Sequence, residues 1–197
     1  SHILWINLIT DSLPALALGI DASDTSHFMK KPPRPKDENL FAEGGLSCTL
    51  LYGILIALIS MTAFLQLPIR LLLAGNVPVN LENLRIMLNV PEILVRCQTY
   101  AFTVLGISQL FHAIGMRDVD CSVFKMNHFS NKLMMAAFAI GLGLQVLVTS
   151  FPSITSAFGT CILSAGDWKF LLLLAAMPLL VHEILLLPGY LFPKKKP

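Results

Sequence analysis

Trp5 to Gly19 reads WINLITDSLPALALG, an apolar run that nevertheless carries an amide, a hydroxyl, a carboxylate and a proline. In a helix, Asn7, Thr10 and Asp11 stand at i, i+3 and i+4, so three oxygen-bearing side chains share one face. Pro14 has no N–H, so the carbonyl of Thr10, four residues earlier, loses its helical donor beside that face. How such a segment is tolerated depends on what surrounds it.

The surroundings are apolar. Of 197 residues, 55% are hydrophobic and 13% charged, and the mean hydropathy is +0.70, too high for an ordinary soluble domain of this length. The reading is an all-α integral membrane protein. The net charge is only +2, and no basic stripe with interleaved aromatics is present, which excludes a nucleic-acid partner. Cys48, Cys97, Cys121 and Cys161 are widely spaced with no CxxC pair, which argues against zinc, haem and thioredoxin chemistry and for free thiols. The N-terminus lacks the basic region of a signal peptide and begins almost inside an apolar segment, so the chain reads as a piece of something longer.

A helical span needs about 20 apolar residues. Five segments meet or approach that length: 1–20, 46–67, 99–116, 133–151 and 168–187. No charge interrupts the second, third or fourth, whereas the first carries Asp11 and the fifth Glu183; intramembrane acids are costly enough to need a reason. For Glu183 a structural interhelical pair is favoured over an ion relay. The connections holding Lys30, Lys31, Arg34 and Lys36, then Arg117, Lys125 and Lys132, and the tail with Lys194, Lys195 and Lys196 carry most of the basic residues, against Arg70, Arg85, Arg96 and Lys169 on the other side. The positive-inside rule places the first group in the cytoplasm, and the C-terminus with it. Within the long connection 68–98, apolar spacing at Leu81, Leu84, Met87 and Leu88 predicts a short amphipathic helix. Ala137, Gly141 and Gly143 in the fourth span are small enough to permit close helix contact.

The opening stretch admits two physical readings. A hard cation takes several oxygens from carboxylate, amide, hydroxyl and freed backbone carbonyls, as discontinuous transporter helices provide, which makes the first span a helix interrupted near Thr10–Pro14. Alternatively Asp11 pairs with a base on a neighbouring helix and the proline serves packing.

The order LWINLITDSLPALALGI, then MKKPPRPKDENLF, resembles the sixth transmembrane helix and following cytoplasmic loop of calcium-transporting P-type ATPases. The resemblance covers residues 1–197, so the five spans correspond to helices six to ten, a cation-ATPase C-terminal transmembrane domain. It implies Asn7, Thr10 and Asp11 as cation ligands, with Asp11 able to bridge two ions in pumps that hold two. Pro32, Pro33 and Arg34 correspond to a cytoplasmic segment that couples the phosphorylation domain to the membrane. Sodium/potassium pumps of the same superfamily tend to carry an aspartate where Asn7 stands, so the amide favours calcium. Gln109, in YAFTVLGISQLF, falls where two-ion calcium pumps carry a glutamate; it is included as a weaker ligand. His112, one turn on, is read as a packing residue.

The Asp-Lys-Thr-Gly-Thr phosphorylation motif, a nucleotide-binding domain and the fourth-helix Pro-Glu-Gly-Leu are all missing from these residues. The isolated chain is therefore expected to have no catalytic residues and to bind neither ATP nor magnesium, which belong to the parent's headpiece; calcium is the transported ion. Expected partners are the bilayer and the pump's remaining helices and headpiece, and the expected location is the plasma membrane of a prokaryote. Two other readings stand beside this one. They are a P-type pump for manganese, magnesium or sodium, and a stand-alone non-enzymatic membrane module derived from such a pump.

Overall fold

The computed structural model describes residues 2–21 and 45–191, with side chains described at 11–21 and 45–188. These residues form eight α-helices: α1 His2–Gly19, α2 Gly45–Ala74, α3 Leu81–Leu88, α4 Pro91–Gly115, α5 Lys132–Ser150, α6 Pro152–Phe158, α7 Ala165–Ala175 and α8 Met177–Leu191. A short 3₁₀ turn, His128–Ser130, precedes α5, and no strand occurs among the described residues. The molecule is an all-α membrane bundle. By length and composition, α2, α5 and the α7–α8 stretch 165–188 are each apolar enough to cross a membrane.

At the centre stands α4, packed against α1, α2, α3, α5, α7 and α8. One apolar cluster joins Ile59, Ala63 and Leu67 of α2 to Cys97, Tyr100 and Val104 of α4 and Leu171 of α7. Toward the other end, Ala17 of α1 packs with Ala113 of α4 and Met134 of α5. The polar groups of α4 are bonded inside the bundle. Thr99 donates to Val95 O at 2.8 Å and accepts from the Cys161 N–H at 3.1 Å, while Thr103 accepts from Gln145 Nε2 of α5 at 2.9 Å. Burying hydroxyls and amides is tolerable only when they are paired in this way.

Prolines set where helices stop and where they continue. α1 runs through Pro14 as one element, so the expected interruption near Thr10–Pro14 is confined to the one backbone bond that proline cannot donate. Likewise α2 passes through buried Pro68 and ends at Ala74, seven residues beyond the expected boundary at Leu67. Pro178 acts differently. The expected single segment 168–187 divides at Ala176, whose N–H closes on Leu172 O, and Leu179 and Leu180 restart by donating to the Ala176 carbonyl.

Two connections hold more helix than expected. α4 starts at Pro91, eight residues before Thr99, because proline is well suited to the first helical position. Residues 152–158 form α6, ended by Gly159 at φ 64°, the left-handed conformation that favours glycine. The amphipathic helix expected from Leu81 to Leu88 is present, capped by Asn80, whose side chain accepts from Asn83 N. Its Leu84, Met87 and Leu88 are half-buried, while Leu81 is exposed.

Candidate cation site

The register of α1 follows from two contacts. Ala17 packs on Ala113 and Asp21 pairs with Arg117, so α1 and α4 run parallel, each residue of α1 level with one 96 positions later. At about 1.5 Å per residue, Asp11 lies about 9 Å above Ala17 and Gln109 about 6 Å above Ala113. The two therefore sit within about 3 Å of the same depth.

Facing is a separate matter. Gln109 and Ala113 are i and i+4, so half-buried Gln109 lies on the side of α4 turned toward α1. Asp11 is three residues from Pro14 and six from Ala17, about 60° and 120° around the helix from those two packed positions. Its side chain is exposed at the flank of the bundle, while Pro14 and Ala17 are buried. Among the described residues Asp11 has no ion-pair or hydrogen-bond partner. No cluster of three or more His, Cys, Asp or Glu able to hold a metal is formed among them either. The side chains of Asn7 and Thr10 lie outside the described residues, as does the segment with Pro32, Pro33 and Arg34; the backbone of 7 and 10 belongs to α1.

Glu183, the second acid in an apolar segment, is fully engaged. Its Oε2 accepts from Ser122 Oγ at 2.8 Å and its Oε1 from the Val123 N–H at 2.7 Å. Neighbouring His182 bonds Cys121 O at 2.9 Å. Both fasten α8 to the segment after α4, so the role is structural, but the partners of Glu183 lie in a connection and not on a second helix as expected. His112 stacks on Tyr52 of α2, ring centroids 4.3 Å apart and tilted 37°, a packing role.

At the far end of α4, Asp167 accepts from Tyr100 Oη and lies 3.4 Å from Arg96 Nη1, and it forms a capping box with Ser164 at the start of α7. All four cysteines are free. Cys97, two residues before the expected third span, is fully buried within α4.

None of the pairs Asp21–Arg117, Thr103–Gln145 or Ser122–Glu183 was evident from sequence spacing. Their partners stand 96, 42 and 61 residues apart. The only local signal was the residue type, an ionisable or amide group beside an apolar run.

An all-α bundle with helices long and apolar enough to cross a membrane defines a class, an integral membrane domain. The model of the family described as cation transporting ATPase, C-terminus, matches residues 1–187, and the chain belongs to that family. It is 39% identical over 188 residues to calcium-transporting ATPase 1 of Bacillus cereus, covering 93% of this chain and 20% of the relative. It is also 32% identical over 195 residues to calcium-transporting ATPase of Bacillus subtilis, covering 99% and 19%. With calcium-transporting ATPase type 2C member 1 of Mus musculus it shares 31% over 184 residues, covering 93% and 18%. The chain thus spans about a fifth of the length of the curated relatives it matches.

Proposed function

We propose that this chain is the membrane portion of an ATP-driven calcium pump, contributing ligands from α1 and a cytoplasmic coupling segment. The observation that carries the reading is the contrast between two acids: Glu183 is satisfied inside the chain, and Asp11 is exposed with no partner among the described residues. A carboxylate in apolar surroundings is costly unless paired or bound to a cation, so the flank of α1 carrying Asp11 is where further helices and the ion belong. Relatives named as calcium-transporting ATPases support calcium as the ion.

In this reading Asp11 supplies charge, Asn7 and Thr10 supply neutral oxygens, and Gln109 adds an amide oxygen from α4. Pro32, Pro33 and Arg34 meet the headpiece, which binds ATP and magnesium. The segments holding Lys30–Lys36 and Arg117–Lys132 and the C-terminal lysines face the cytoplasm, in the plasma membrane of a prokaryote. Because two dications a few ångströms apart repel strongly in a low-dielectric site and Gln109 brings no charge, the pump carries about one calcium per cycle.

The test uses the full-length pump. Asp11→Asn keeps the side chain's shape but removes its charge, and it is expected to abolish calcium-dependent phosphorylation from ATP while the protein still assembles in the membrane. Unchanged calcium dependence in that variant would overturn the assignment, and a count near two calcium ions per phosphorylatable site would overturn the single-ion reading.

A further inference from the structure

Where α1 leaves the bundle, one arginine gathers three segments. Arg117, two residues beyond α4, donates from Nε to Asp21 Oδ2 at 2.5 Å and from Nη2 to Asp21 Oδ1 at 3.3 Å. Nη2 also donates to Ser130 Oγ at 2.9 Å, and Nη1 to Asn127 O at 3.3 Å. The two charged side chains are only 8% and 16% exposed, so this is not the screened surface pair whose contribution is negligible. The cation also stands at the C-terminal ends of α1 and α4, where the helix dipoles favour positive charge.

A second bond lies beside it. In a continuing helix the Asp21 N–H would reach the Ala17 carbonyl, but it closes on Leu18 O instead, and Ile20 N closes on Leu16 O. The buried Ala17 carbonyl is taken by Asn131 Nδ2 at 2.8 Å, while Asn131 Oδ1 caps α5 by accepting from Met134 N. The last turn of α1 is therefore tied at residues 17 and 21 to the segment that joins α4 to α5.

We infer that Arg117 is a positioning residue that fixes the register of α1 against α4. Asp11 lies ten residues before Asp21 and Gln109 eight before Arg117, about 15 and 12 Å along parallel helices. A slip of α1 by one residue would shift Asp11 by about 1.5 Å and turn it by about 100°. Calcium–oxygen bonds occupy a range of only about 2.3–2.6 Å, so such a slip removes the ligand. This inference rests on the proposed cation site, and one of its two tests is independent of that site.

In the full-length pump with Cys48, Cys97, Cys121 and Cys161 replaced by alanine, Ala17→Cys with Ala113→Cys should cross-link readily on oxidation. Adding Arg117→Gln should slow that reaction roughly threefold or more, and an unchanged rate overturns the clamp whatever binds at Asp11. In the pump with its native cysteines, Arg117→Gln should raise the calcium concentration for half-maximal phosphorylation roughly 5- to 10-fold. Asp21→Asn should shift it in the same direction, and the double variant should lose less than the two single losses combined, because both remove one shared interaction. Additive losses, or lower thermal stability with unchanged calcium dependence, overturn the positioning role. Should Arg117→Gln fail to assemble, Arg117→Lys keeps the charge without the planar fork and should shift both readouts less, in the same direction; wild-type behaviour in both overturns the inference. If Asp11→Asn instead retains calcium-dependent phosphorylation while Arg117→Gln still slows cross-linking, the cation site is wrong and the clamp stands.

Discussion

Glu183 and Asp11 look alike in the sequence, each an acid in an apolar run, yet their surroundings separate them. Glu183 accepts two hydrogen bonds from residues 60 and 61 positions away, a pairing that depends on how the segment after α4 folds back onto α8 and has no local signature. Asp11 has no comparable partner among the described residues. Both acids stand out in the sequence as needing an explanation, and only the tertiary arrangement shows which one the chain itself satisfies. Glu183→Gln tests the distinction. The amide can accept from the Val123 N–H and donate to the Ser122 hydroxyl, but both bonds lose the charge of the carboxylate that strengthens them. A loss of about 1–3 kcal/mol is expected, read as faster thermal inactivation in detergent, with calcium transported per ATP unchanged. A changed transport ratio at normal stability would make Glu183 part of the ion path.

At the level of helices, the apolar runs announced where helices occur, and the prolines made their ends hard to place. Pro68 and Pro14 sit inside continuous helices whereas Pro178 begins a new one. A proline removes one donor in every case, and whether the chain bends or breaks there depends on neighbours that a linear pattern does not contain. The small residues of α5 show the same limit. The sequence predicts both Gly141 and Gly143 as contact residues, but a Cβ at Gly141 would come within 2.8 Å of buried Leu110 on α4, while one at Gly143 would meet nothing within 4 Å outside its own turn. Ala137 is buried as expected. The two glycines are two residues apart and so point about 200° from each other on the helix, which puts only one of them against α4. Gly141→Leu should thus destabilise the bundle by about 2 kcal/mol through overpacking, and Gly143→Leu should stay within about 0.5 kcal/mol of the parent. Thermal unfolding of both in the same detergent decides it, and equal effects would show that the α4–α5 contact is not where the structure has it.

For the whole molecule, hydropathy follows the reverse of the rule for soluble proteins. α4, central and packed on six other helices, is the one whose buried positions include Thr99, Thr103 and Ser108. α2, by contrast, exposes Leu46, Leu50, Ile54, Leu58 and Met61 on its flank. Lipid is the apolar solvent here, so exposure rather than burial demands the most hydrophobic side chains, and polar groups gather where helices can bond them. That inversion also supplies a test of orientation that depends on the bundle as a unit. Cys161 donates its backbone N–H to Thr99 near the start of α4, and Cys121 lies six residues beyond Gly115 at its end. Thr99 and Gly115 are about 24 Å apart along the helix, so the two thiols mark opposite ends. Both are half-buried, unlike Cys97, which is fully buried and out of reach of a reagent. In single-cysteine variants of the full-length pump, an impermeant maleimide applied to intact cells should label Cys161, and Cys121 should react only after permeabilisation. The reverse pattern would invert the topology derived from the basic residues, and labelling of both from outside would mean that α4 does not cross the membrane at all.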